Sequence, residues 1–388
     1  MEYGFDISFF SFLSFISYNE LDRRRKMRKV DWLLLFGIIV ISLFGLLMIY
    51  SASYVWAEYK FGDAYKFVKT QGIFLIVGYM VMYMMLKVPY TKYLNKANLI
   101  FGVCFILLIL VLIPGIGSVR NGSRSWFGIG GFGIQPSEFT KLGMIIFASK
   151  YLAYNEKDLK DIKRGVLPIL GSLFLIFGLI MLQPDFGTGV IIVVSIVVLL
   201  FISGVPMGFF VKIGFLGLLG VVGLIVVAPY RMKRIVSFLN PWSDPLGSGF
   251  QIIQSLYAIG PGGLLGLGFG KSIQKHFYLP EPQTDFIFAI ISEEFGFLGV
   301  LIVSFLFILI IYRGFRIAIH CENKFGKYLA FGIVFQLSFQ ALLNLMVVVG
   351  LIPVTGVTLP FLSYGGSSLL ITMLSMSILL NISKYNIE

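Results

Sequence analysis

The chain has 388 residues, 57% hydrophobic and only 13% charged, where a soluble globular domain carries about 25% charged residues. That deficit excludes a protein built for water, and Lys and Arg gathering in cytoplasmic loops explains the formal charge of +12 better than nucleic-acid binding does. Two cysteines and two histidines exclude a disulfide framework and a metal constellation of those residues.

Residues 1–30 open with an apolar stretch, Phe9 to Ile16, followed by Asn19-Glu20-Leu21-Asp22 and a basic cluster. A signal peptide orders these features the other way round, so a cytoplasmic tail able to form an interfacial helix is expected. A membrane span needs about 20 mostly apolar residues. Candidates are Trp32–Tyr50, Gly72–Leu86, Leu99–Pro114, Phe139–Ala153, Val166–Leu182, Gly187–Ser203, Phe209–Ala228, Phe286–Tyr312, Tyr328–Val349 and Ser367–Ile382. The expected fold is therefore an all-α polytopic membrane protein of about ten transmembrane helices. One transmembrane domain runs over 31–384, and 385–388 form a cytoplasmic C-terminus.

An even number of spans places both termini on one side. Twenty Lys and Arg fall on that side, including Arg23–Arg25, Lys157–Arg164 and Arg313–Lys327, against ten on the other. The positive-inside rule then puts both termini in the cytoplasm. The long loop between helices 7 and 8, about 230–284, is extracellular and holds five of the ten outer basic residues. Loops of that length are usually functional. Within it, Gln251–Ile259 has the pattern of a short amphipathic helix. In the seventh span Gly214, Gly217, Gly220 and Gly223 form a ridge suited to close helix packing.

Several polar constellations can carry chemistry. Asp285 follows Leu279-Pro-Glu-Pro-Gln-Thr284 and opens the eighth span; it is either a helix cap together with Thr284 or a carboxylate whose desolvation makes it a useful base. Glu138 and Lys141 share a face of the fourth span, as an ion pair or as part of a polar cavity. Asp185, in Gln183-Pro-Asp-Phe-Gly-Thr188, sits in a tight outer reversal. Arg120, Asn121 and Arg124 lie in a glycine-rich outer loop able to meet phosphate or sugar, or simply solvent. Glu293 and Glu294 are intramembrane carboxylates, with Lys141 as a candidate partner. Gly266–Ser272 lacks the first glycine of a phosphate loop, which excludes ATP binding. Pro353–Ser368 breaks the chain before the last span, as a cavity lining or as plain packing.

Taken in order, Asn121-Gly-Ser-Arg124-Ser-Trp126, Gln135-Pro-Ser-Glu-Phe, Gln183-Pro-Asp-Phe-Gly-Thr, Asn240-Pro-Trp-Ser-Asp-Pro245, Gly249-Phe-Gln251, Tyr278–Phe286 and Pro360-Phe-Leu-Ser363-Tyr-Gly-Gly366 closely resemble the SEDS family. These are the FtsW, RodA and SpoVE proteins of bacterial cell-wall synthesis, and the wording is nearer FtsW and SpoVE than RodA. The resemblance covers nearly the whole chain from about residue 30. It implies a peptidoglycan glycosyltransferase of the bacterial cytoplasmic membrane that polymerises lipid II at the outer face, beside a class B penicillin-binding protein. It matches Asp285 to the family's essential aspartate, expected here as general base. Lys275, Arg231, Arg234 and Lys141 become candidate clamps for the leaving diphosphate; Glu138, Arg124, Asp185, Gln251 and Ser363 are the further substrate-binding candidates. Ser125 departs from the family, where many relatives carry a second basic residue. No cofactor is required, the need for a divalent cation stays open, and a lipid II flippase or a non-catalytic scaffold are the alternatives.

Overall fold

The computed structural model describes residues 30–120, 122–129, 132–227 and 229–385. The expected tail (Val30 apart), Asn121 and residues 386–388 lie outside the described residues. Each of the ten expected spans is a helix: α1 (Trp32–Phe61), α2 (Lys66–Met85), α3 (Thr91–Leu112), α4 (Pro136–Tyr154), α5 (Leu167–Met181), α6 (Phe186–Ile202) and α7 (Met207–Val227) precede the long loop. Inside that loop lie α8 (Pro229–Leu239) and α9 (Phe250–Ile259), and α10 (Ile287–Ile319), α11 (Lys324–Val348) and α12 (Gly366–Ser383) complete the bundle.

Among the described residues seven helices are long and apolar enough to cross a membrane, and α6 and the first part of α7 are shorter apolar ones. The remaining span, α4, carries Glu138 and Lys141 in its first two turns. Phe36, Ile76, Ile106, Phe174, Phe215 and Phe305 point outward, an apolar surface suited to hydrocarbon rather than water. In their apolar windows α12 is 72% buried and α2 and α3 only 22%, so α12 is central and α2 and α3 are peripheral.

The ends of the bundle are fixed by Asp31. Its carboxylate caps α1 by accepting from the Leu34 N–H at 3.0 Å. Arg313, near the end of α10, donates to it through Nη2 at 2.6 Å and Nε at 3.0 Å. The Asp31 N–H reaches the Ser383 hydroxyl at 3.2 Å. The start of α1 and the ends of α10 and α12 therefore meet at one end, as an even number of spans requires, and Asp285 lies at the other.

Helix α1 continues to Phe61, well beyond the expected end at Tyr50. At 30 residues it is about 45 Å long and overshoots a hydrocarbon core of about 30 Å. Ser51 and Ser53 read as an end in sequence, but both are buried; Ser53 Oγ donates back to the Ile49 carbonyl at 2.7 Å, keeping the hydroxyl satisfied inside the helix. Helix α10 is broken at Gly296 (φ 61°, ψ −154°). The chain at 263–268 fills the break: Leu267 and Gly268 N–H groups donate to the Glu293 and Glu294 carbonyls, while Phe297 and Leu298 N–H groups donate to Gly263 and Leu264. Irregular backbone at membrane depth is tolerable where the groups a break frees find partners, as these four do.

Residues 349–365, between α11 and α12, are non-helical. They pass so close to α1 that a Cβ on Gly45 would sit 2.2 Å from the Phe361 carbonyl oxygen, and only glycine leaves that passage open. Two elements went unanticipated. The outer loop before α4 is an antiparallel sheet of β1 (Ser118–Arg120), β2 (Ser123–Ile129) and β3 (Phe132–Ile134). The other is α8, whose basic residues mask a helical apolar face. The glycine ridge of α7 also differs from expectation: a Cβ on Gly214, Gly217, Gly220 or Gly223 would meet nothing within 4 Å, so among the described residues no helix packs on it.

Candidate functional site

Asp285 sits at the end of the loop leading into α10, and the backbone of residues 283–285 is held by three hydrogen bonds from two elements. Asn344 Nδ2 on α11 donates to the Asp285 carbonyl at 2.7 Å and to the Val357 carbonyl at 2.8 Å. Ser363 Oγ donates to the Thr284 carbonyl at 2.5 Å. The Tyr364 N–H donates to the Gln283 carbonyl at 2.8 Å. The non-helical segment before α12 thus serves as a bed for the Asp285 loop. The capping alternative for Thr284 and Asp285 is removed, because Phe286 is the N-cap residue of α10 and no side chain caps it.

The Asp285 side chain is half-buried. Burial pushes its carboxyl above the usual aspartate value; hydrogen bonds from Thr284 and from its own backbone N–H pull the other way, Glu281 raises it further and Arg234 lowers it. The Thr284 hydroxyl lies 3.0 Å from Asp285 Oδ1 and 2.7 Å from the Glu281 carbonyl. Arg234, on α8, is exposed and donates to the Val354 carbonyl at 2.9 Å, so α8 brings one guanidinium to the bed of Asp285. The Arg231 side chain lies outside the described residues.

A second polar group lies within the bundle. Lys141 pairs with Glu138 at 2.9 Å and donates to Gln340 Oε1 at 2.7 Å, with all three residues buried. Gln340 Nε2 in turn donates to the Thr358 carbonyl at 2.9 Å. Asp185 caps α6 by accepting from the Thr188 N–H at 3.2 Å, and also accepts from Gln135 Nε2 at 3.0 Å and Ser137 Oγ at 3.1 Å. Burial raises its pKa against the Thr188 and Ser137 hydrogen bonds, and Glu138 raises it further. Gln340 and Asn344 are one turn apart on α11 and grip the neighbouring carbonyls of Thr358 and Val357. Polar contacts therefore run from Asp285 to Glu138. A cavity of about 20 Å³ beside Lys141, Gln336 and Gln340 has room for about one water, next to Gln336 Oε1, which has no hydrogen-bond partner among the described residues.

Other candidates are placed differently. Lys275 is not free to clamp a diphosphate: it is 1% exposed and paired with Glu294 Oε1 at 2.8 Å. Glu294 therefore pairs with Lys275 and not with Lys141. Arg124 reaches the Leu112 carbonyl at the end of α3 at 3.5 Å, where a basic side chain complements the helix terminus. Gln251 lies partly exposed at the start of α9. That helix is anchored by Ser255 Oγ on the Val348 carbonyl at 2.7 Å. The sequence reading missed Asn344 and Gln340, although polar residues four apart in an apolar span are a legible signal. Among the described residues no group of three or more His, Cys, Asp or Glu is placed to hold a metal.

A ten-helix membrane bundle that seats a desolvated aspartate on a non-helical bed defines an integral membrane protein with a polar site at one end of its helices. The chain matches the FtsW/RodA/SpoVE family of cell cycle proteins over residues 31–388, and belongs to it. It is 52% identical to the stage V sporulation protein E of Bacillus subtilis (strain 168) over 361 residues, 93% of this chain and 99% of that one. A probable peptidoglycan glycosyltransferase FtsW of Geobacter sp. (strain M18) is 40% identical over 359 residues, 92% of this chain and 98% of that one. Among solved structures, a chain from a peptidoglycan synthase complex that coordinates polymerization and crosslinking is 30% identical, with a TM-score of 0.76 over 91% of this chain and 97% of that one. The Thermus thermophilus rod shape determining protein RodA is 27% identical, with a TM-score of 0.69 over 92% of this chain and 98% of that one.

Proposed function

We propose that this chain is a peptidoglycan glycosyltransferase that polymerises lipid II at the outer face of the bacterial cytoplasmic membrane, with both termini cytoplasmic. The observation that carries the reading is Asp285: a carboxylate raised by burial, held by backbone contacts from two separate elements. A general base works best with a pKa drawn toward the operating pH. The distribution of Lys and Arg supports the orientation, and the names borne by the relatives support the reaction class.

In this mechanism Asp285 takes the proton from the 4-hydroxyl of the acceptor GlcNAc. That oxygen bonds to C1 of the donor MurNAc with inversion. The C1–O bond breaks, and its electron pair leaves with undecaprenyl diphosphate. Arg234, with Arg231 on the same helix, supplies positive charge where the diphosphate develops. Lys141, buried and paired with Glu138 and so no clamp for the diphosphate, holds the bed through Gln340, and Asp185 fixes the start of α6 beside them. Ser363 sets the height of the Asp285 loop, and Gln251 and Arg124 remain outer-loop candidates for contact with the substrate. A class B penicillin-binding protein crosslinks the product.

The test is polymerisation of purified lipid II by the full chain with its transpeptidase partner. Asp285→Ala is expected to make no glycan while still binding that partner. Movement of labelled lipid II between leaflets without glycan formation would establish a flippase instead.

A further inference from the structure

Three charged side chains are buried together where the loop preceding Asp285 threads the break in α10. Lys275, Glu293 and Glu294 are each at most 1% exposed. Lys275 Nζ donates to Glu294 Oε1 at 2.8 Å and to Ser51 Oγ on α1 at 3.3 Å, and lies 4.8 Å from the centre of the Tyr54 ring. Ser51 Oγ is 2.7 Å from both Glu294 oxygens, and the Ser272 N–H donates to Glu294 at 3.2 Å. Glu293 accepts from Ser272 Oγ at 2.5 Å and the Ile273 N–H at 2.8 Å, with the Gln274 N–H at 3.4 Å from both its oxygens.

Burying such ions is costly, and apolar residues of similar size often fold as well, so a retained buried pair calls for a reason such as choice of register. The geometry gives that reason. Glycines already fix the register of 263–268 on α10: a Cβ at Gly262 or Gly266 would lie 2.2 Å from the Ser292 or Glu294 carbonyl oxygen, and Gly263, Gly266 and Gly268 have positive φ. The carboxylates carry that register on past 268, because a slip would take the Ser272 hydroxyl away from Glu293 and the Lys275 ammonium away from Glu294. Ten residues later the chain reaches Asp285, through a path stiffened by Pro280 and Pro282.

We propose that Lys275, Glu293 and Glu294 are positioning residues: a charge-paired latch that sets the register of residues 272–275 on α10 and α1, and thereby the place of Asp285 on its bed. The functional half of this inference rests on the glycosyltransferase reading; the register half does not. A base displaced by about 1 Å loses about a hundredfold in rate, so the latch acts on turnover and leaves substrate binding alone.

The experiment compares wild type, Lys275→Met, Glu294→Gln and the double Lys275→Met/Glu294→Gln variant, each as the full chain with its transpeptidase partner. Three quantities are read: glycan formed from lipid II at saturation, affinity for labelled lipid II, and hydrogen exchange of 268–285 without substrate. The single variants should lose about a hundredfold in turnover with lipid II affinity within about threefold, and exchange should quicken in 268–285. Removing both charges should recover at least about tenfold, because neither member of the Lys275–Glu294 pair is left facing a vanished partner, while Glu293 keeps its own hydrogen bonds. If a single variant does not accumulate, recovery of yield and exchange protection in the double variant carries the same test. Affinity falling in step with turnover while exchange is unchanged would make Lys275 a substrate ligand and overturn the latch. Unchanged exchange with unchanged turnover, or a double variant no better than the singles, would overturn it as well. Should wild type make no glycan, the glycosyltransferase reading fails, while the exchange data still decide the latch.

Discussion

Asn344→Leu removes the two donor contacts that tie α11 to the Asp285 loop and to its bed, with little change in volume. A side-chain hydrogen bond between membrane helices averages about 0.6 kcal/mol. Here, however, the acceptors are the buried carbonyls of Asp285 and Val357, and leaving each unpaired costs about 1–3 kcal/mol. Against that cost, Asn344 Oδ1 has no partner in the folded protein, and its removal returns about 1–3 kcal/mol. The net is a destabilisation of about 1–3 kcal/mol, concentrated where the loop meets residues 357–358. Because that junction places the base, turnover should fall by about tenfold to a hundredfold. Thermal unfolding in detergent and polymerisation at saturating lipid II measure the two effects. Wild-type turnover in a variant of normal stability would refute the idea that Asn344 places Asp285.

Asp285 has a folded pKa above its ordinary value, so its charge weakens the fold as pH rises through that pKa, and the strain is absent below the unfolded pKa. Asp285→Asn should therefore melt no lower than wild type near neutral pH while being inactive. The same raised pKa places the acid limb of polymerisation above the range of a free aspartate. Removing the charge of Arg234, which lowers that pKa, should move the limb to higher pH in Arg234→Gln, and Glu281→Gln should move it to lower pH. Gly45→Ala drives a Cβ into the Phe361 carbonyl and should cost about 1–3 kcal/mol, read as a lowered melting temperature together with reduced turnover. Asp31→Ala loses both a cap, worth about 1 kcal/mol, and the Arg313 pair; it should destabilise more than Arg313→Ala in the same melt.

The ten spans were legible because a membrane imposes one rule, about 20 apolar residues, on a strongly patterned chain. Boundaries were less so. Helix α1 continues past Ser51 and Ser53 because the Ser51 hydroxyl meets Glu294, a partner only the folded bundle supplies, and the Ser53 hydroxyl turns back onto its own helix. Asp285 stood out by its prolines and its place before a span, whereas its supports come from Asn344 and Ser363, 59 and 79 residues distant in sequence from the groups they hold. Lys275 misled for the opposite reason. A lysine in an outer loop reads as available, yet the loop folds back into the break in α10 and buries it. Short strands such as Ser118–Arg120 carry too little pattern to be seen before their pairing is known.

The central claim is that Asp285 performs the chemistry and does not merely hold the fold. The most direct measurement is glycan synthesis from purified lipid II by Asp285→Asn beside wild type, each reconstituted with its transpeptidase partner and matched for thermal stability. Wild type should yield glycan strands and Asp285→Asn none, with partner binding and lipid II affinity preserved. Glycan strands made at the wild-type rate by Asp285→Asn would contradict the account.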